Sequence, residues 1–268
     1  MLRYAVTPMC VLTLLAVLVA VISHNADAKL IAAFLLDEGE GDTTTDVSEN
    51  GIEGVLVGDP EWVEGRFGSA LKCEPNKYVD FPPPTPEVFM LDQDLTVMAW
   101  VNPQQWIAGW QGVFSMQAGS TGGEIYGIYL GNQGGAEIVF WTRIGGAAQG
   151  VRTGVGALAL EEWAHCAVTY NGQKLIAYKN GEVVAEADVA GQLDNADRKG
   201  RFVINGNYNS LDGGLAEFSN CIIDEVVIFD EALPAEEIEK YATDGFEGTM
   251  AVEAAGKLAI TWGEIKQP

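Results

Sequence analysis

Asp42, Thr44, Asp46, Ser48, Asn50 and Glu53 place an oxygen-bearing side chain at every second or third position of one turn-rich stretch. Hard cations such as calcium are held by oxygens of this kind, so the stretch reads either as a cation loop or as a solvated polar turn. It is not an EF-hand, because Val47 stands where that loop needs glycine. A second group is aromatic. Trp106 and Trp110 lie within Gln104–Trp110, and Asn207 and Tyr208 lie within the Gly-containing Asn205–Asn209. Flat rings beside amides suit a sugar, whose C–H face stacks on the ring while its hydroxyls bond the amides. Trp141 and Arg143 alternate along one strand-like run and fit the same surface. The competing reading puts the tryptophans on the core as caps.

Other chemistries find little support. A Ser-His-Asp enzyme would have to use His165, which sits inside an apolar run with no nucleophile elbow near it. Zinc would need close thiolate pairs or further histidines, and the chain has no C-x-x-C. Gly154–Ala159 fits a dinucleotide-binding pattern but lacks the strand-turn-helix setting that gives the pattern meaning.

The elements that must carry these residues are strands. Short runs of period-two alternation recur between Gly, Asn and Asp: Leu30–Phe34, Gly54–Val57, Ala70–Cys73, Tyr78–Phe81, Leu95–Val101, Gly112–Met116, Tyr126–Leu130, Glu137–Arg143, His165–Tyr170, Leu175–Lys179, Val183–Ala187, Phe202–Asn205 and Cys221–Phe229. In Leu95–Val101 the odd positions Leu95, Val97, Ala99 and Val101 share one face, and Thr96, Met98 and Trp100 share the other. Asn171-Gly172 and Asn180-Gly181 are hairpin signals that predict a three-strand meander over roughly 165–187. Pro234–Ala242 alone reads as helix, with proline at its first turn and Glu236 and Glu237 behind it. Such a pattern predicts an all-β, two-sheet antiparallel sandwich with one short C-terminal helix.

Composition narrows the partners. Fifteen Lys and Arg against 38 Asp and Glu give a net charge of −23 over 268 residues. A chain this acidic has no cationic face with which to displace counterions from nucleic acid. Arg3, the apolar run Val11–Ile22 and Ala26-Asp27-Ala28 form a secretory signal with a small-x-small cleavage site. Residues 1–28 are expected to be removed, giving a secreted or cell-surface protein with no membrane span. Cys73, Cys166 and Cys221 then remain, an odd number in an oxidising compartment, each inside an apolar run. A domain over 29–245 precedes a tail, 246–268, which reads as an added strand or a flexible end.

Several segments come in a telling order: Phe34–Gly39 with Asp46–Gly51, Gly68–Cys73 with Tyr78–Asp80, Leu95–Val101, Trp163–Gly172, Tyr178–Gly181 and Ile223–Phe229. Together they resemble the laminin-G-like, concanavalin A-like lectin/glucanase jelly-roll superfamily in its bacterial secreted branch, over roughly residues 30–243. Cys73 and Cys166 depart from the usual Phe and Val, and Met98 stands where pentraxins have the cysteine that pairs with the position of Cys166. The resemblance implies a jelly roll with a structural calcium, for which Asp46, Asn50 and the distant Asp224 are the candidate ligands. The family holds glycan binders, adhesion modules and hydrolase appendages, and its fold alone does not choose among them; the aromatic loops make non-catalytic carbohydrate binding the leading expectation. Protein interaction or adhesion is the alternative. A glycoside hydrolase ranks below both, because the E-x-D-x-x-E strand of the superfamily's hydrolases is missing.

Overall fold

The computed structural model describes residues 28–118, 123–131, 136–194, 200–208 and 214–265, with side chains as far as Ala251. The expected signal segment, apart from Ala28, lies outside the described residues. Every strand expected from alternation forms, with ends shifted by a residue or two. In chain order the strands are β1 (Leu30–Phe34), β2 (Thr43–Thr45), β3 (Glu53–Val57), β4 (Glu61–Glu64), β5 (Ser69–Cys73), β6 (Tyr78–Asp80), β7 (Asp94–Pro103), β8 (Gln111–Ala118), β9 (Glu124–Leu130), β10 (Ile138–Ile144), β11 (Ala147–Arg152), β12 (Ala164–Asn171), β13 (Lys174–Lys179), β14 (Glu182–Asp188), β15 (Gly200–Ile204), β16 (Asn207–Tyr208), β17 (Leu215–Ala216) and β18 (Cys221–Phe229). Helix α1 spans Ala235–Ile265.

Two large antiparallel sheets result, with β16 and β17 paired in a small third one. The first runs β14-β13-β12-β7-β18-β5-β4, with β1 also paired to β18; the second runs β11-β10-β9-β8-β15-β6-β3-β2. The predicted meander is the β12-β13-β14 edge of the first sheet. Between the sheets lies the main core, in which Leu95, Val97, Ala99 and Val101 of β7 meet residues of the second sheet such as Phe114, Phe140 and Phe202. Phe202 is its aromatic hub, stacked on Phe89 at 4.4 Å and packed on Phe81 at 5.0 Å. Burying a side chain of this size is worth about 1.5–3 kcal/mol. All three described cysteines are free and buried. Cys73 and Cys221 stand opposite one another on β5 and β18, and burial pushes the Cys221 thiol up to about 12.

The opposite face of β7 supports a second, smaller core. Met98 packs there with Ala167, Tyr178, Val227 and Phe229 beneath Ile238, Tyr241 and Phe246 of α1. The helix begins as expected, with Glu236 and Glu237 in its first turn, where the helix dipole favours acids. It does not end at Ala242. Gly245 (φ 70°) interrupts it, and helical backbone resumes and runs on to Ile265. The tail therefore enters as helix rather than as an added strand, and Phe246 lies against Tyr241 at 6.1 Å. Only glycine suits the break, because a Cβ on Gly245 would stand 2.9 Å from both Glu225 Oε1 and the Phe67 ring. Among the described residues, no helix is long and apolar enough to cross a membrane.

Candidate functional site

The second sheet turns one face to the core and the other outward. On β10, Phe140 and Ile144 join the core while Trp141 and Arg143 point away from it. Trp141 stands opposite Gly127 of β9 on one side and Gly150 of β11 on the other. Gly150 leaves room for the indole to lie across the sheet, since a Cβ there would come 2.6 Å from the Trp141 ring. Trp110 arrives from the loop before β8. Its ring meets Trp141 edge-to-face at 5.8 Å and 85°, and Tyr129 of β9 at 6.4 Å and 74°. The Arg152 guanidinium lies 5.4 Å from the Trp110 ring centroid and is paired with Glu137 at 2.6 Å.

These rings wall a cleft of about 210 Å³ lined by Trp110, Glu124, Tyr129, Trp141, Ala148 and Glu217. Its polar side is built around Asn207. The Asn207 amide nitrogen donates to Glu124 Oε1 at 2.8 Å and to Glu217 Oε2 at 3.0 Å, while its carbonyl accepts from the Ser115 hydroxyl at 3.1 Å. The Tyr129 hydroxyl donates to Glu124 Oε1 at 3.3 Å. Burial raises Glu217 above the ordinary carboxylate range, in spite of the hydrogen bond from Asn207, and the nearby charge of Glu124 adds to the rise. Larger clefts of about 330–520 Å³ lie elsewhere on the surface. None of those three is lined by a tryptophan or tyrosine, so none offers an indole or phenol face.

The sequence candidates divide. Trp110, Trp141 and Asn207 come together here. Arg143 lies two residues beyond Trp141 on the same face, with its guanidinium close against Gly123 and bonded to the Gly146 carbonyl at 3.4 Å. Trp106 packs half-buried on the main core and does not line the cleft. Tyr208, expected as an open ring, is 4% exposed. Arg201 lies 4.1 Å from its ring centroid, and its hydroxyl donates to Asp80 at 2.5 Å, so no stacking face remains. Glu124, Tyr129 and Glu217 were not evident from the sequence. Tyr129 alone carried a signal, as the position in β9 whose neighbours Ile128 and Leu130 enter the core.

Each of the three expected calcium ligands is bonded within the chain. Asp46 is 3% exposed and spends its carboxylate on the chain itself: Oδ1 accepts from the Ala33 and Ser48 amides at 2.7 and 2.8 Å, and Oδ2 from the Ser48 hydroxyl and, at 3.5 Å, the Ile52 amide. The carboxylate thus faces donors of the chain's own on both oxygens. The Asn50 amide nitrogen donates to the Ile31 carbonyl at 2.8 Å. Asp224 is held elsewhere, by the Arg66 and Phe67 amides at 2.8 and 3.1 Å. Among the described residues, no group of three or more His, Cys, Asp or Glu side chains converges as a metal site would. The oxygen-rich stretch is a turn that staples itself to β1. His165 is structural in its surroundings too, 1% exposed against Trp100 at 5.4 Å, with burial holding it down at about 3 and hence neutral.

With two sheets in this order and an aromatic cleft on the outer face of one, comparison with known proteins becomes informative. Residues 74–239 match the family described as the Concanavalin A-like lectin/glucanases superfamily. The chain belongs to that family. No curated protein matches the sequence. Among solved structures, domain 4 of AbnA, a GH43 extracellular arabinanase from Geobacillus stearothermophilus solved with arabinotriose, superposes with a TM-score of 0.59 at 18% identity, covering 81% of this chain and 99% of that one. The binding domain of Paraclostridial Mosquitocidal Protein 1 gives 0.59 at 16% identity, covering 80% of this chain and 52% of its own. A botulinum neurotoxin type C structure, whose description ties cell entry to two ganglioside molecules, gives 0.59 at 14% identity and 81% and 52% coverage. This chain thus spans about half the length of those toxin chains, and at such identities the likeness is one of fold.

Proposed function

We propose that this superfamily member is a non-catalytic carbohydrate-binding module, exported after loss of residues 1–28, that seats its glycan in the cleft between Trp110 and Trp141. The observation that carries the reading is the partly exposed pair of perpendicular indoles beside a polar wall of Glu124, Asn207 and Glu217. A sugar ring placed on an indole buries its C–H face, and its hydroxyls donate to the carboxylates. Carbohydrate ligands in the descriptions of the arabinanase domain and the neurotoxin support the class of ligand. The reading does not depend on calcium, and Asp46 is bonded by the chain's own donors.

The paired carboxylates favour one second reading, glycoside hydrolysis. A retaining or inverting hydrolase needs its two acids on opposite sides of the scissile bond. Here one Asn207 amide bonds both Glu124 and Glu217, so each carboxylate already holds a neutral donor of the protein's own. A glycan array with purified protein, followed by incubation of each bound glycan and analysis of its products, tests both readings. Binding without cleavage is expected. Release of shortened sugars would install the hydrolase, and a silent array would remove the carbohydrate reading.

A further inference from the structure

Resting on the carbohydrate reading, we infer that the cleft selects a saccharide carrying a protonated amine, of the glucosamine type, over neutral and acidic sugars. Two carboxylates face the cleft, and the partners they have are neutral: the Asn207 amide for both and the Tyr129 hydroxyl for Glu124. Among the described residues, neither Glu124 nor Glu217 enters an ion pair with an arginine or lysine. Of the neighbouring cations, Arg152 is paired with Glu137 and Arg201 with Asp80 and Tyr208, while Arg143, close against Gly123, bonds the Gly146 carbonyl and enters no ion pair among the described residues. Both hydrogens of the Asn207 amide are committed, one to each glutamate.

Half-buried carboxylates without a cation are costly, and an ammonium group is the partner that relieves them. It would find open lone pairs on two acids, while the sugar ring carrying it rests on an indole that also attracts cations through its face. A uronate or sialic acid would bring a third carboxylate to the same place and be repelled. The net charge of −23 acts in the same direction at longer range, concentrating cationic ligands near the surface.

Calorimetric titration of the full protein at about pH 6, where an amine is protonated, compares three oligosaccharides of equal length: fully deacetylated glucosamine, N-acetylglucosamine and a uronate. The deacetylated chain is expected to bind about tenfold more tightly than the N-acetylated one. That preference should shrink in high salt and be lost in Glu217→Gln and Glu124→Gln, isosteric changes whose thermal melts report whether the fold is kept. Equal or tighter binding of the N-acetylated or uronate chain, or no binding of the deacetylated chain, overturns the amine inference. In those cases a glycan of another class bound at Trp141 leaves the carbohydrate reading standing, whereas a silent array removes that reading as well. Should both variants unfold, the wild-type ranking of the three chains and its salt dependence still decide the matter.

Discussion

Trp110 and Trp141 meet edge-to-face, with ring centroids 5.8 Å apart and planes at 85°. One ring is held by a loop and the other by the sheet, so the corner they form exists before any ligand arrives. Alanine at either position is expected to weaken glycan binding at least about tenfold with little change in Tm, since each ring is only partly buried. Trp100 provides the contrast. It is 4% exposed, and Trp100→Ala should cost about 3–5 kcal/mol of stability through the cavity it leaves. Paired melts and titrations of the three variants check the separation. Comparable loss of stability in all three would make the corner part of the core.

Gly150 is a sharper probe of the same corner. Since a Cβ there would come within 2.6 Å of Trp141, Gly150→Val should push the indole off the sheet and reduce binding as much as Trp141→Ala does. A Cβ there would also stand 2.5 Å from the Phe140 carbonyl oxygen, so a thermal melt accompanies the titration to separate a displaced indole from a displaced strand. Tryptophan fluorescence and titration would show the displaced indole. Unaltered affinity would mean that Trp141 need not lie flat.

Much of this fold is written in alternation. Leu95–Val101 separates its two faces in sequence as it does in space, and the Asn-Gly pairs at 171 and 180 close the hairpins they predict. Strands without alternation were invisible: β11 is mostly Ala, Gly and Gln, and β2 is three threonines. The site was half legible for a related reason. Trp141 shows itself by type, but Glu124 and Glu217 become neighbours only through Asn207, on three elements that the sheet register and one loop bring together. At the polar turn, 42–53, oxygens that suit a cation also suit the chain's own amides, and sequence spacing does not say which they meet.

That turn yields a stability prediction. Asp46→Ala leaves donors from Ala33, Ser48 and Ile52 without their acceptor and should cost about 1–3 kcal/mol. Because the chain's own donors already bond the carboxylate, melts in calcium and in chelator should coincide for the parent protein. A calcium-dependent rise in Tm that Asp46→Ala abolishes would return the ion to this turn.

Acidity should stabilise the protein over part of the pH range. Burial, then the charge of its neighbour Glu225, raises Asp224 to about 8 from 3.8, and burial raises Glu225 to about 7 from 4.5. Asp37 pushes both upward, Glu247 adds to the rise at Glu225, and the amides of Arg66, Phe67 and Phe246 oppose it. Both groups bind their proton more tightly folded than unfolded. Stability is therefore greatest below the unfolded values and is lost as pH rises through the folded ones, between about pH 4 and pH 8. Asp224→Asn keeps an acceptor for the Arg66 and Phe67 amides and removes the titration, so its Tm should fall less across that window. A parallel fall would place the effect elsewhere.

The central claim, that sugar is bound at the Trp110–Trp141 corner, is tested most directly by the indole N–H resonances. With each tryptophan assigned by substitution, an array-identified glycan is titrated into ¹⁵N-labelled protein. The Trp110 and Trp141 signals should shift together and saturate with one dissociation constant, while those of the buried Trp100 and core-packed Trp106 stay in place. Saturable shifts at Trp106 or elsewhere, with Trp110 and Trp141 unmoved, would contradict the account.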